Sequence, residues 1–239
     1  MSALNLAVDP LPITLLAKCL DGVLNNEYGD TFRLPFLNME TICLGSSDQN
    51  ADLTYYKVRS RLMAKDHVIV NPIKMEDISN VVSTVLQNEN TNRIILPVGV
   101  NSQLFYFIPH NHMITVVIDL LNSETTNVYI IDSKKFTFIP YKPDITNKIN
   151  AIAELQSSDI KFIHHFIAHQ GPFDNKTCCY FTLKVIWHLL RYIDIPTEEC
   201  LNKIPRSPYW VWTNLSWITA DDILAIYRSV GGGHLLLSQ

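Results

Sequence analysis

One cysteine in this sequence occupies a position that favours a reactive thiol. Cys178 follows Thr177, a preferred N-cap residue, and an apolar pattern at helical spacing continues from it to Ile193. The unpaired N–H groups and the positive end of the dipole at a helix start lower the pKa of a cysteine there. A lone cysteine is more often a small buried apolar residue, so the assignment depends on what else the chain supplies.

A histidine and an aspartate at the edges of two predicted strands supply the rest of a thiol site. His112 immediately precedes an apolar, β-branched segment, residues 113–121, and Asp132 closes the apolar segment 128–131. If the two strands pair as a hairpin, their outer ends meet and the two side chains can touch. A further predicted strand, residues 160–168, can return the chain to the same edge. The pattern therefore predicts a nucleophile, a base and an acid that orients the base.

Three short segments around these residues carry a family pattern. HMITVVIDL begins at His112, YIIDS contains Asp132, and TCCYF contains Cys178 and follows Gln170. In this order they resemble the Ulp1-type cysteine peptidases of clan CE. The resemblance covers residues 75–193 and is strongest with bacterial effector members that remove ubiquitin or ubiquitin-like proteins.

The resemblance implies both a fold and a set of roles. The fold would be α+β and papain-like, of the Ulp1 type, with a central mixed or antiparallel sheet between helices and the nucleophile opening the central helix. Cys178 would be the nucleophile, His112 its base, and Asp132 the acid that fixes the imidazole tautomer. The Gln170 side-chain amide and the Cys178 backbone N–H would hold the oxyanion.

The reaction implied by the resemblance is hydrolysis of an isopeptide bond after a Gly-Gly tail, through a thioester and without a cofactor. The partner would be ubiquitin or a ubiquitin-like protein such as SUMO or NEDD8. The chain would act in a cytoplasm, and a bacterial effector of this kind would be secreted into the host cell cytosol.

Several departures from the family pattern leave alternatives open. Met113 stands where the family usually has Trp, and Cys179 replaces the glycine after the nucleophile, which makes Cys179 the rival nucleophile. His110 is the rival base. Two other functions remain: an acetyltransferase of the YopJ type, which favours Glu at the acid position, and a catalytically inactive protein that binds a ubiquitin-like partner.

Composition narrows the class of protein. The formal net charge of the 239 residues is −4 and the sequence has no lysine or arginine run, which argues against a nucleic-acid platform. The five cysteines lack a spaced framework and are typical of thiols in a reducing compartment. We find no metal-ligand spacing, no secretory signal pattern and no apolar run long enough to span a membrane.

Hydrophobic periodicity predicts the elements, the length of the chain suits one domain over residues 1–239, and the resemblance implies that this domain is catalytic. That domain would comprise an N-terminal arm or variable region (1–74), a catalytic core (75–193) and a C-terminal helical region (194–239). Residues 25–60 lack a clear period and are predicted to be irregular. The predicted helices are residues 13–24, 75–87, 144–156, 178–193 and 219–230, and the predicted strands are residues 93–98, 113–121, 128–131 and 160–168.

Overall fold

A computed structural model describes residues 13–25, 34, 37–44, 53–60, 65–104, 108–120, 124–134, 141–156, 158–170 and 178–204. Within these residues, eight strands form one mixed sheet with helices packed against both of its faces. The strands are β1 (Leu37–Leu44), β2 (Leu53–Ser60), β3 (Asp66–Val70), β4 (Ile73–Lys74), β5 (Arg93–Leu104), β6 (Ile108–Asp119), β7 (Thr125–Lys134) and β8 (Asp159–Gln170). The helices are α1 (Ile13–Leu24), α2 (Ile78–Asn88), α3 (Lys142–Asn150), α4 (Cys178–Arg191) and α5 (Thr197–Asn202).

The strand order across the sheet is β1-β2-β3-β5-β6-β7-β8, and β4 also pairs with β5. The pairs β3–β5, β4–β5 and β7–β8 are parallel, and the others are antiparallel. Because β6 and β7 run in opposite directions, the start of β6 and the end of β7 lie at the same edge of the sheet. The parallel β8 ends at that edge too, immediately before the segment that leads to α4.

The sheet separates two apolar clusters, as the alternation of side chains along each strand requires. On β6, Met113 and Val117 belong to the cluster that also contains α1, α4 and α5. Ile114 and Val116 face the opposite cluster, beneath α2 and α3. The central strands are therefore buried on both faces, which explains their nearly continuous apolar sequences.

Most of the predicted elements are present, and each predicted strand is longer than the apolar pattern suggests. The helix predicted at residues 13–24 has those bounds, and α4 begins at Cys178 as expected. The helices predicted at 75–87 and 144–156 each divide into an α-helix and a short 3-10 turn. Thr177 and the helix predicted at 219–230 lie outside the described residues.

The strand predicted to end near Pro97 continues to Leu104. A proline lacks the N–H that a central strand donates to its neighbour. The register places Pro97 between two separate pairings, because β3 ends its pairing at Ile95 and β4 begins its pairing at Val98. The proline is tolerated where the neighbouring strand is interrupted.

The prediction that residues 25–60 are irregular was wrong for β1 and β2, which form an antiparallel pair. β1 is the end strand of the described sheet order, and polar residues such as Asn38 and Glu40 interrupt its apolar positions. Such half-exposed strands carry a weak hydrophobic signal. The short helix α5 was not predicted as a separate element, although it lies within the region 194–239 that was predicted to be helical.

Candidate active site

The structure brings His112 and Asp132 into direct contact at the edge where β6 starts and β7 ends. His112 Nε2 lies 2.8 Å from Asp132 Oδ1, and both side chains are fully buried. His112 lies within β6 rather than just before it, because β5 extends far enough to pair Val100 with His112. Two neighbouring strands of the central sheet therefore hold the candidate base and acid.

Two further donors hold the Asp132 carboxylate. The backbone N–H of Lys134 donates to Oδ1 at 2.8 Å, and the Tyr141 hydroxyl donates to Oδ2. A register irregularity between Asp132 and Lys134 accompanies this turn of the backbone towards the side chain. Burial would raise the pKa of Asp132, but the charge and hydrogen bond of His112 and the bonds from Tyr141 and Lys134 hold that pKa below its usual value.

His112 is stabilised as an imidazolium by its neighbours. Burial lowers the pKa of His112, but the charge and hydrogen bond of Asp132 and the interaction with Cys178 outweigh it and raise the pKa to about 9. Because Asp132 accepts from Nε2, Nδ1 is the ring nitrogen left to serve the Cys178 sulfur. The ring is therefore held between an acid and a thiol, as a general base requires.

Cys178 is the first residue of α4 and is buried beside the base. A hydrogen bond from Cys179 lowers the pKa of the Cys178 thiol, whereas burial raises it. The hydrogen bond and charge of His112 and the backbone N–H of Met113 lower that pKa further. Their net effect holds the pKa of the Cys178 thiol well below its usual value. These effects favour a thiolate–imidazolium pair, and the start of the helix adds to them.

Cys179, the rival nucleophile, has the opposite electrostatic environment. Its hydrogen bond to Cys178 and its burial raise the pKa of the Cys179 thiol, and the charges of Cys178 and Cys19 add to the effect. The influence of His112 thus falls on Cys178, whereas the neighbours of Cys179 keep its thiol protonated. This favours Cys178 over Cys179.

The structure locates the remaining predicted residues by their backbone. β8 ends at Gln170, which pairs with Lys134, so the Gln170 backbone lies at the same edge of the sheet as Asp132. The role of the Gln170 side chain in an oxyanion site stays a prediction, because residues 171–177 and that side chain lie outside the described set. The rival base His110 lies on β6 opposite Ser102, and the bond to Asp132 is made by His112.

Sequence reasoning missed two residues that hold the acid, Lys134 and Tyr141. Lys134 contributes its backbone N–H, which carries no sequence signal. Tyr141 precedes Pro143, which marks a helix start, but nothing local indicates that the helix start returns to Asp132. A prediction of this contact would have required the position of α3 on the sheet.

Asp119, the aspartate of β6, lies at the end of that strand away from His112. It accepts a hydrogen bond from Thr197 Oγ1 at 2.6 Å and lies 3.6 Å from Arg93 Nη2. The described residues contain no cluster of three or more potential metal ligands. No helix in the described part of the chain has the length and apolar character needed to cross a membrane.

This mixed α/β architecture is found in solved structures of a bacterial effector protein, although no family model and no curated protein sequence matches the chain. The effector is RavZ of Legionella pneumophila. One RavZ crystal structure matches with a TM-score of 0.64 and 14% identity, covering 92% of this chain and 64% of RavZ. RavZ in complex with human LC3B matches with a TM-score of 0.60 and 10% identity, covering 92% of this chain and 60% of that one. This chain therefore spans less than two thirds of RavZ, and at such identities the likeness shows the fold alone.

Proposed function

We propose that this chain is a bacterial effector cysteine hydrolase that cleaves a ubiquitin-like modifier from its conjugates. The observation that carries the proposal is the buried His112–Asp132 contact beside Cys178 at the start of α4. The fold shared with RavZ, which has been crystallised with the ubiquitin-like protein LC3B, supports a modifier of that class as the partner.

The arrangement is suited to acyl transfer. The Cys178 thiolate attacks the carbonyl carbon at the end of the modifier, forming a C–S bond and a tetrahedral oxyanion. The oxyanion collapses, the C–N bond breaks, and the His112 imidazolium gives its proton to the leaving amine. The products of this half-reaction are a thioester on Cys178 and the released amine.

Hydrolysis of the thioester uses the same groups in reverse. His112, now neutral, takes a proton from water as the water attacks the thioester carbonyl. The C–S bond breaks to regenerate the thiolate, and the modifier leaves as a carboxylic acid that loses its remaining proton to solvent, so the thiolate and the imidazolium are restored. Asp132 keeps the imidazole in one orientation in both steps, and the Gln170 amide and the Cys178 backbone N–H stabilise the oxyanion.

The modifier tail would enter as an extended chain ending in glycine, through a narrow groove that would exclude other side chains at the reacting carbonyl. LC3B is the first modifier to test because of the RavZ complex, followed by ubiquitin, SUMO and NEDD8. The site of action would be the host cell cytosol, after secretion by a bacterium.

The test is reaction of the purified chain with LC3B, ubiquitin, SUMO and NEDD8, each carrying a C-terminal propargyl warhead. Cys178→Ala and Cys179→Ala serve as matched variants, since the two thiols are adjacent and equally buried. We expect a covalent adduct with at least one modifier that is lost in Cys178→Ala and retained in Cys179→Ala. An adduct lost only in Cys179→Ala would move the nucleophile by one residue.

Absence of any adduct would contradict the proposal, and alkylation by iodoacetamide would then separate the two rival functions. A Cys178 thiol that is still activated would favour acyl transfer to another acceptor, as in the YopJ type. An unreactive Cys178 thiol would favour a protein that only binds its partner.

A further inference from the structure

Tyr141 has no role in the sequence pattern, yet it contacts the candidate acid. Its hydroxyl donates to Oδ2 of Asp132, while His112 and the Lys134 N–H occupy Oδ1. We propose that Tyr141 is a positioning residue that fixes the orientation of the Asp132 carboxylate and, through it, the imidazole of His112. This inference rests on the proposed thiol chemistry at Cys178.

Tyr141 is itself held by packing that does not depend on the site. Its side chain is 1% exposed, and the residue directly precedes α3. Ile145 and Ile149 of α3 belong, with Tyr141, to the apolar cluster between the sheet and helices α2 and α3. Ser79 Oγ donates to the Lys148 carbonyl at 2.8 Å and joins α3 to α2. The phenol is therefore placed by a helix with its own contacts to the core.

The phenol remains a donor at every useful pH. Burial, followed by the charge and hydrogen bond of Asp132, raises the pKa of Tyr141 above the usual phenol value. A carboxylate held through only one oxygen can rotate about its Cβ–Cγ bond and exchange its oxygens. The bond from Tyr141 opposes that rotation, so Oδ1 stays with Nε2 of His112 and Nδ1 stays directed at Cys178.

The test compares Tyr141→Phe with Tyr55→Phe. Tyr55 is equally buried and also donates to a carboxylate, Glu89 Oε1 at 3.0 Å, but it lies on β2, which β3 and β5 separate from β6. Each variant loses one tyrosine–carboxylate bond and keeps its ring. The readout is the rate of Cys178 alkylation by iodoacetamide against pH, located by peptide mapping, because that reaction needs no modifier.

We expect the alkylation profile of Tyr141→Phe to shift towards higher pH, because a loosened Asp132 holds the imidazolium less firmly. On the rising limb of the profile, where most of the thiol is still protonated, a shift of one pH unit lowers the rate at a fixed pH by about tenfold. On a modifier substrate, kcat should fall with KM unchanged, since Tyr141 does not contact the substrate. Tyr55→Phe should match the wild type in both measurements.

An unchanged profile in folded Tyr141→Phe would overturn the inference. A shift to lower pH would also overturn it, because it would show that Tyr141 withdraws charge from Asp132 rather than orienting it. In an Asp132→Asn background, Tyr141→Phe should cause no further shift, and an undiminished further shift would count against the inference. The Asp132→Asn change also removes the buried carboxylate charge, which in Tyr141→Phe alone would lose a hydrogen bond and could prevent folding.

The two proposals fail in distinguishable ways. If wild-type Cys178 is activated towards iodoacetamide but reacts with no modifier, the proposed function is overturned. The role of Tyr141 is then still tested by the alkylation profile of Tyr141→Phe. A wild-type Cys178 that reacts only at the pH of an ordinary thiol would overturn both.

Discussion

A buried aspartate makes a close contact towards each end of β6, and a buried histidine accompanies each contact. The pKa values of these two histidines are shifted in opposite directions. Near the start of the strand, His112 lies 2.8 Å from Asp132 of β7. At its other end, Asp119 lies 3.6 Å from Arg93, which pairs in register with His67 on β3. Both histidines are buried, but the pKa of His112 is raised to about 9 and that of His67 is lowered to about 3.

Burial alone does not explain the difference, because it lowers the pKa of both histidines. The neighbouring charges decide the result. Asp132 and Cys178 stabilise the imidazolium of His112 and overcome the cost of burial. At the other end the charge of the Arg93 guanidinium, and after it that of Lys65, adds to the effect of burial on the pKa of His67, so the ring stays neutral.

The two ends also differ in what covers them. At the Asp119 end, α5 and the residues just before it cover the contact: Thr197 Oγ1 donates to Asp119 at 2.6 Å, and Arg93 Nη2 donates to the Ile195 carbonyl at 3.1 Å. At the His112 end, the neighbour is the thiol at the start of α4. The covered Asp119 end is therefore suited to stability, whereas the proposed chemistry lies at the His112 end.

The largest effect on stability should come from removing the Arg93–Asp119 ion pair. Asp119→Asn leaves the Arg93 charge buried without its counter-ion, and we expect a loss of about 3–5 kcal/mol in the free energy of unfolding. Urea denaturation measures the loss. The matched control is Glu76→Gln, because the Lys74–Glu76 pair is exposed and should contribute less than about 1 kcal/mol. Per folded molecule, Cys178 should alkylate at the wild-type rate, and a slower rate would contradict the division between the two ends.

The next effect compares the two histidines directly. His112→Asn removes the imidazolium, so the Cys178 thiol should return towards an ordinary pKa of about 8.5, and alkylation at pH 6 should fall by about 10²–10³-fold. His67→Asn is the matched variant and should alkylate at the wild-type rate. Equal losses in the two variants would show that the histidines act through folding rather than through the thiol.

A third effect concerns pH in the wild-type protein. His112 keeps its proton up to about pH 9, so cleavage of a modifier should fall about tenfold for each pH unit above that value, because the leaving amine loses its proton donor. Alkylation of Cys178 should not fall in the same range, since the thiolate persists. Two profiles that decline together would exclude His112 as the proton donor.

The contrast also shows what the sequence could predict. The spacing of His112, Asp132 and Cys178 sufficed to predict that they lie at one edge, because hairpin pairing and a helix start are local features. Tyr141 could not be predicted, since its contact depends on where α3 packs on the sheet. β1 was missed because its residues are half-exposed, and such a strand needs its neighbour to define it.

The smallest expected effect is the pH dependence of stability at the Asp119 end. The pKa of His67 is about 6.5 in the unfolded chain and about 3 in the folded one, so below pH 6.5 the unfolded chain binds the extra proton. Stability therefore falls as pH falls, and between pH 7.5 and 5.5 we expect His67 to account for a loss of about 1 kcal/mol. Urea denaturation at the two pH values measures it.

His67→Asn should reduce that loss, while the raised pKa of His112 acts in the opposite sense: its contribution is fully present below pH 6.5 and is lost as pH rises through about 9. The stability curve should consequently decline on both sides, and His67→Asn should flatten only the acid side. An unchanged acid side in that variant would mean that the Arg93 charge does not keep His67 neutral, and the electrostatic contrast between the two ends of β6 would not hold.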